Sequence, residues 1–374
     1  MMKILLDPQI FYQQTYGGIS RYYTEIFSIL SKKNDIDIFL PIYQSDNAYI
    51  KNTTLLVENK NLNILLNILN FFKISTKSFR KKKSDQLIEK YFRAKDYDLF
   101  IPTYYNPYFL KFIGNKPFVL TVYDMIHEMM PQYFTDDPYN VVDNKKILIE
   151  KATKIIAVSH NTKKDILTFF PSIDPEKIEV IYHGSSIVYD PKIKVDLPEN
   201  YLLYVGARSN YKNFKFLVKA MVPILQNNKE LMLIAAGGGA FTEEETEFIK
   251  NFGIEKQIIQ RNFRENELAH FYKNAVAFIF PSLYEGFGIP VVESMACGCP
   301  IVLTKCGSLP EIAGDAGIYF DSYSEQDLRD KIQMLLSDEK LRQCYSEKGL
   351  QHAKKYDWNE AAEQCMQVYL SSIN

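Results

Sequence analysis

Residues 281–302 read PSLYEGFGIPVVESMACGCPIV, with Glu285 and Glu293 eight positions apart and Gly286, Phe287, Gly288, Ile289 and Pro290 between them. The run leading into it, AVAFIFP (275–281), is short, apolar and ends on a turn signal, which predicts a buried strand. After Ile289 the pattern predicts a helix. Pro290 suits the first helical position, having no N–H to waste and a preset φ, and Gly298 marks the stop. PIVLT (300–304) then predicts a second buried strand. The unit is therefore strand, glycine loop, helix, strand.

This arrangement has a chemical consequence. A helix N-terminus offers unpaired N–H groups and partial positive charge, which suit a phosphate. Two glycines let a ligand approach the backbone closely. Glu293, placed in the first helical turn, is an acceptor-only carboxylate able to take two hydrogen bonds from vicinal hydroxyls. Glu285 comes from the loop and can meet a second polyhydroxyl group. Phosphate between two sets of hydroxyls describes a nucleotide sugar. The plainer reading makes Glu293 a complement to the helix dipole and Glu285 a solvated side chain. For two isolated glutamates it would prevail, but the whole string favours the ligand.

At these residues the sequence resembles the retaining glycosyltransferases of family 4, whose signature is E-x7-E after PS-x-x-EGFG. The resemblance extends over most of the chain. It implies the GT-B fold: two Rossmann-like, doubly wound domains facing an interdomain cleft, with a last helix that crosses back to the first domain. The expected division is an N-terminal, acceptor-side domain over 1–185, a polar linker over 186–200 carrying Pro191 and Pro198, a donor-side domain over 201–355, and the returning helix over 356–374. The length of 374 residues agrees with two domains.

Further candidates lie at strand ends, where open α/β sheets bind ligands. KILLD (3–7) predicts the first strand, and Gly17 and Gly18 precede an amphipathic helix. A tight turn explains two glycines equally well, but the resemblance puts this loop near the donor phosphate and the acceptor. IDIFLPIY (36–43), YDLFIPTYYNP (97–107) and PFVLTVYDMIHE (117–128) each predict a strand with its following loop. The last ends in Asp124 and His127, which the resemblance sets beside the donor sugar as catalytic-site residues together with Glu285. A lone histidine is more often structural. Ser159 predicts a helix cap, and IEVIYHG (178–184) a final strand.

In the second half, YLLYVGARSNYKNF (201–214) predicts strand, glycine turn, basic loop and helix. Arg208 and Lys212 are two fixed cations at a strand end, which suit a diphosphate; the alternative is a solvated loop. The resemblance assigns them to the donor diphosphate together with Gly288 and Ile289. It gives the sugar to Glu285, Gly286 and Phe287, and the ribose to Glu293. Backbone groups of the loop Asn262, Phe263 and Arg264 receive the base. It implies no metal and no cofactor beyond the nucleotide-sugar donor, and a glycan or lipid-linked acceptor.

Composition narrows the partners. A net charge of −1 gives no bulk attraction for nucleic acid. Five cysteines, an odd number confined to the C-terminal half, argue against a disulfide framework and for a reducing compartment. With no signal peptide and no apolar run long enough to span a bilayer, the expected location is cytoplasmic. An apolar stretch at 61–72 followed by FRKKK (79–83) suits peripheral contact with an anionic membrane face; a core helix and a solvated charge run suit it better. Two rivals stand beside the transferase. One is a glycoside hydrolase using Glu285 and Glu293 as acid and nucleophile, the other a non-catalytic nucleotide-sugar-binding subunit of a glycan-synthesis complex.

Overall fold

The computed structural model describes residues 1–58, 76–208 and 210–373. The chain divides into two units, one of Met1–His183 with Trp358–Asn374 and one of Gly184–Asp357. Residues 184–200 group with the second unit, where the Asp190 carbonyl lies 2.9 Å from His270 Nε2 and Tyr189 packs on the His270 ring.

In the first unit β1 (Met2–Leu6), β2 (Ile36–Phe39) and β3 (Leu99–Ile101) form a sheet in the order β2-β1-β3, all parallel. β4 (Val119–Val122), β5 (Lys154–Ala157) and β6 (Ile178–Val180) form another, also parallel. A parallel bridge between Phe100 and Phe118 links the two. Strands covered by helices on both faces lose the alternation of a half-exposed strand and read as continuous apolar runs, as LFI and VLTV do here. The strands are shorter than their apolar runs. Pairing stops where the chain turns over the sheet edge, so Leu40 and Ile42 are buried without lying in β2. The Ser159 side chain caps helix His160–Phe169 by accepting from the Thr162 amide. The last helix, Trp358–Ile373, lies on helix Gly18–Leu30 of this same unit. There Tyr369 stacks on Phe27, and Trp358 packs beside Tyr22 and His183.

Asp7 follows β1 and is completely buried. It accepts hydrogen bonds from Tyr108 Oη at 2.7 Å and from the Thr103 and Gln9 amides. Burial pushes its carboxyl up to about 6, against the pull of the Tyr108 and backbone hydrogen bonds. A raised folded-state pKa means that the folded chain holds this proton more tightly than the unfolded chain. The stabilisation is present below the ordinary value and is lost as pH rises through about 6. In denaturant titrations between pH 4 and pH 7, Asp7→Asn is expected to gain ~3 kcal/mol relative to the parent as pH rises. A gap that does not change with pH would refute the assignment.

The run FRKKK lies inside helix Lys77–Ala94. Arg80 is buried and paired with Asp46, and Lys81 is paired with Asp85 one turn on. The charge run is therefore not one cationic face: helical periodicity turns Arg80 inward. The apolar stretch at 61–72 lies outside the described residues. Among those described, no helix is long and apolar enough to cross a membrane.

The second unit holds one six-stranded parallel sheet. Its strands are β7 (Tyr201–Val205), β8 (Met232–Ala236), β9 (Ile258–Arg261), β10 (Ala277–Phe280), β11 (Ile301–Thr304) and β12 (Gly317–Phe320). Their order is β12-β11-β10-β7-β8-β9. The chain winds outward from β7 to β9, then crosses back to β10 on the other side of β7. That reversal makes the carboxyl ends of β7 and β10 a topological switch point, where two loops part and leave a crevice. Leu202, Leu217, Val218, Leu233, Ile279 and Val302, all fully buried, fill the core beneath it. Each such side chain contributes roughly 1.5–3 kcal/mol by leaving water, which makes this sheet a rigid base for the loops above.

Candidate functional site

The loops after β7 and β10 meet at that switch point. The Leu283 amide donates to the Tyr211 carbonyl at 2.8 Å, tying one loop to the other. Above this bond Lys212 Nζ reaches Glu285 Oε1 at 2.6 Å, with both side chains mostly buried. The ammonium also lies over the rings of Tyr211 and Phe280. Lys212 is set there by a tight turn, Asn210–Lys212, between two left-handed asparagines, Asn210 (φ 50) and Asn213 (φ 59). Asparagine is one of the few side chains that tolerates this region.

Arg208 is placed differently from a ligand-facing cation. Its guanidinium donates to both carboxylate oxygens of Glu245, at 2.9 and 3.2 Å, and to the carbonyls of Gly237 and Ala240. It is 8% exposed and packs against Phe241. Burial works against the Glu245 charge, but hydrogen bonds from Arg208 and Thr242 outweigh it and hold that carboxyl below its usual range. Arg208 therefore fastens the loop after β8 to the loop after β7. That loop carries three successive left-handed glycines, Gly237, Gly238 and Gly239. A side chain at Gly238 would strike the Gly206 carbonyl and the guanidinium itself. Sequence reading marked Arg208 as basic but missed Glu245, whose only signal is the capping box it forms with Thr242.

The helix after the glycine loop runs Ile289–Ala296, capped by Gly288 in a left-handed conformation at φ 93. Ile289, not Pro290, is the first helical residue, and no acidic residue lies in the first turn. Glu293 thus stands one residue deeper in the helix than expected and just beyond its first turn, because Gly288 supplies the cap and starts the helix earlier. It is 3% exposed and accepts a hydrogen bond from Tyr272 Oη at 3.3 Å. Tyr272 belongs to helix Leu268–Asn274, and no sequence pattern singles it out.

The loop at Glu285 is held from behind. Ser308 donates its amide to the Glu285 carbonyl at 3.1 Å, and its hydroxyl lies 3.0 and 3.1 Å from the carbonyls of Glu285 and Phe287. The Phe287 ring is buried edge-on against Tyr356, so the side chain belongs to the core and leaves only backbone for a ligand. After β9, the Phe263 ring packs on Phe271 and lies over Gly237, and Asn262 accepts from Gln260. The Arg264 amide donates to Glu267. This second unit thus brings together Arg208, Lys212, Glu285, Gly286, Phe287, Gly288, Ile289, Glu293 and Asn262–Arg264 at the carboxyl ends of its strands.

The remaining candidates belong to the first unit. Asp124 follows β4 and accepts from the Ile126 amide, opening the short helix Ile126–Met129 that carries His127. His127 is half-buried with its ring against Phe134. Burial, then the nearby Lys145 charge, lowers its pKa, so the ring is neutral near pH 7. Lys145, fully buried, donates to the Asp124 carbonyl at 3.1 Å and to Glu128 at 2.9 Å, and so fixes the segment between them. Gly17 caps helix Gly18–Leu30 in extended backbone. The Gln14 side chain folds over it and accepts from the Ser20 amide, which gives this glycine a packing role.

Comparison with known proteins follows the same division. Residues 16–187 match the model of Glycosyltransferase Family 4, and residues 185–352 that of Glycosyl transferases group 1. The chain is 26% identical over 299 residues to O-antigen chain mannosyltransferase B of Escherichia coli, covering 74% of each chain. It is 28% identical over 242 residues, 62% of this chain and 65% of the other, to a Campylobacter jejuni protein. That relative is the N-acetylgalactosamine-N,N'-diacetylbacillosaminyl-diphospho-undecaprenol 4-alpha-N-acetylgalactosaminyltransferase. The structure of Anabaena Alr3699/HepE in complex with UDP and glucose superposes with a TM-score of 0.71 at 19% identity, over 99% of this chain and 100% of that one.

Proposed function

This chain is a glycosyltransferase of the GT-B fold and of the family 4 type, and from that premise we propose that it moves a sugar from a nucleotide-diphospho-sugar to a hydroxyl of a glycan or lipid-linked glycan. Transfer proceeds with retention at the anomeric carbon and without a metal ion. The observation that carries this reading is the Lys212–Glu285 pair at the β7/β10 switch point, beside the helix that starts at Ile289.

Breaking the bond to a nucleoside diphosphate leaves charge on phosphate oxygens, and stabilising that charge is the main chemical task. Lys212 and the amides at Gly288 and Ile289 meet it with groups already oriented. Without donor, Glu285 neutralises Lys212. With donor, the diphosphate takes the ammonium, and the carboxylate turns to the sugar hydroxyls. Arg208 contributes by holding the glycine loop against β7. Glu293, oriented by Tyr272, receives the ribose, and the backbone of Asn262–Arg264 meets the base. The resemblance assigns Asp124 and His127 to the donor sugar, and the proposal keeps that role for them, with His127 as a hydrogen-bonding ring. Gly17 and Gly18 keep the phosphate and acceptor role that the resemblance implies.

The acceptor class comes from the relatives. One is an O-antigen chain mannosyltransferase, and the other carries a diphospho-undecaprenol acceptor in its name. Polysaccharide biosynthesis in the cytoplasm completes the proposal.

The test is thermal shift against nucleotide sugars and nucleoside diphosphates, parent beside Glu293→Ala. A ligand at ~100 times its Kd stabilises the parent by ~2.7 kcal/mol. One nucleotide is expected to shift the parent and to need at least ~10-fold more to shift the variant. No shift by any nucleotide at millimolar concentration would overturn the donor site. Turnover with the identified donor, followed by NMR of the product's anomeric proton, then tests retention.

A further inference from the structure

Helix Val141–Lys151 buries Val141, Lys145, Leu148 and Ile149, the i, i+4, i+7, i+8 stripe of a core-facing helix. Lys145 therefore stands at a core position and is fully buried. An apolar side chain of similar volume would pack there without the desolvation that a buried ammonium carries. Stability gives no reason for a lysine at this place, so the reason lies in what the ammonium holds.

It ties three segments together. Its Nζ donates to the Asp124 carbonyl at 3.1 Å, just past β4, and to Glu128 Oε2 at 2.9 Å, on the short helix Ile126–Met129. It also lies 5.1 Å from the centre of the Tyr105 ring, in the loop after β3. The Tyr105 hydroxyl in turn accepts from the Tyr123 amide at 3.1 Å. One buried group thus grips the turn 124–128 at both ends and covers the ring that fixes the residue before it. Two buried polar atoms of that turn, His127 Nδ1 and Glu128 Oε1, have no partner among the described residues. Native interiors leave few such atoms, and a turn that keeps two of them is held in place from outside.

We propose that Lys145 is a positioning residue for sugar transfer: from inside the core it fixes the turn that carries Asp124 and His127. The catalytic half of this inference rests on the transferase reading; the hold on the turn does not.

Charge adds a measurable signature. Burial lowers the His127 pKa most, then Lys145, while Asp124, Glu128 and Asp137 raise it. Without the ammonium the three carboxylates meet less opposition, so the pKa rises and fewer rings are neutral at a given pH. Lys145 acts on the ring more strongly than Glu128 does. Removing both therefore still leaves a rise, smaller than that from the lysine alone.

The experiment compares the full-length parent with Lys145→Met and with the double variant Lys145→Met/Glu128→Leu. The single variant strands a buried carboxylate and can damage the fold; the double variant removes both charges and keeps apolar volume in the core. NMR of histidine-labelled protein follows the ring, the His127 signal being the one lost in His127→Gln. Both variants are expected to titrate His127 higher than the parent does, and the acid limb of kcat moves up with it. Turnover is expected to fall ~10²-fold, the cost of a ~1 Å misplacement. Donor KM and the nucleotide thermal shift are expected to stay parental, since the second unit is untouched. Parental kcat in the double variant overturns the positioning role. So does a loss of activity matched by lost folded protein, with His127 titrating as in the parent. No turnover by the parent with any donor sinks the transferase reading and the catalytic half with it. The His127 titration then decides by itself whether Lys145 holds the turn.

Discussion

Lys212→Ala is expected to lower turnover by ~10²–10³, the range for removing one preorganised group that stabilises developing charge. The effect has two parts. The diphosphate loses its fixed cation, and Glu285 loses its partner at 2.6 Å. A mostly buried carboxylate then faces the incoming phosphates, adding repulsion where there was neutrality. Lys212→Arg retains the charge but not the compact ammonium, so it is expected to recover only part of the rate. The fold should tolerate both changes, since Lys212 lies in a surface turn and its removal leaves the Leu283–Tyr211 backbone bond in place. Steady-state kinetics with the donor found by thermal shift, together with a melting curve, check this. A loss of less than tenfold at unchanged melting temperature would remove Lys212 from the diphosphate.

Gly307→Ala is expected to destabilise the second unit by roughly 2–5 kcal/mol, the sum of a left-handed backbone penalty and an overpacking cost. Gly307 stands at φ 56, and a Cβ there would lie 2.5 Å from the Glu285 carbonyl oxygen and 3.0 Å from its amide. Both are backbone atoms, so no side chain can swing aside. The only relief is to push the Glu285 loop toward the ligand, which also breaks the Ser308 bond to the same carbonyl. Activity is therefore expected to fall further than stability alone accounts for, even well below the melting temperature. Ser308→Ala separates the causes: it deletes the hydroxyl near the Glu285 and Phe287 carbonyls and adds no clash. Urea denaturation and initial rates at low temperature measure the two effects. A Gly307→Ala protein with parental stability and parental rate would show that the loop has room the structure denies it.

The amino-acid sequence alone determined the strand–glycine loop–helix unit around residues 281–302 and the Glu285 and Glu293 spacing, and the family resemblance carried by these residues implied the two-domain GT-B fold. These signals are local: an apolar run, a glycine that must be left-handed, a proline near a helix start. A few residues write each of them. It also placed Ser159 as a cap, because capping joins residues only three apart.

What the tertiary structure decided depends on residues far apart in the chain. Lys212 meets Glu285 across 73 positions, and Arg208 meets Glu245 across 37. Tyr272 reaches Glu293 from a neighbouring helix. Basic residues look alike in a sequence, yet Lys212 faces the switch point while Arg208 and Arg80 are bound inside the fold. Strand order is equally unwritten, since parallel neighbours are chosen by how helices pack on the sheet. The order β12-β11-β10-β7-β8-β9 alone makes β7 and β10 adjacent and opens the crevice between their loops. Periodicity reports which side of an element is buried; only the assembled sheet reports what each buried or exposed charge has found to pair with.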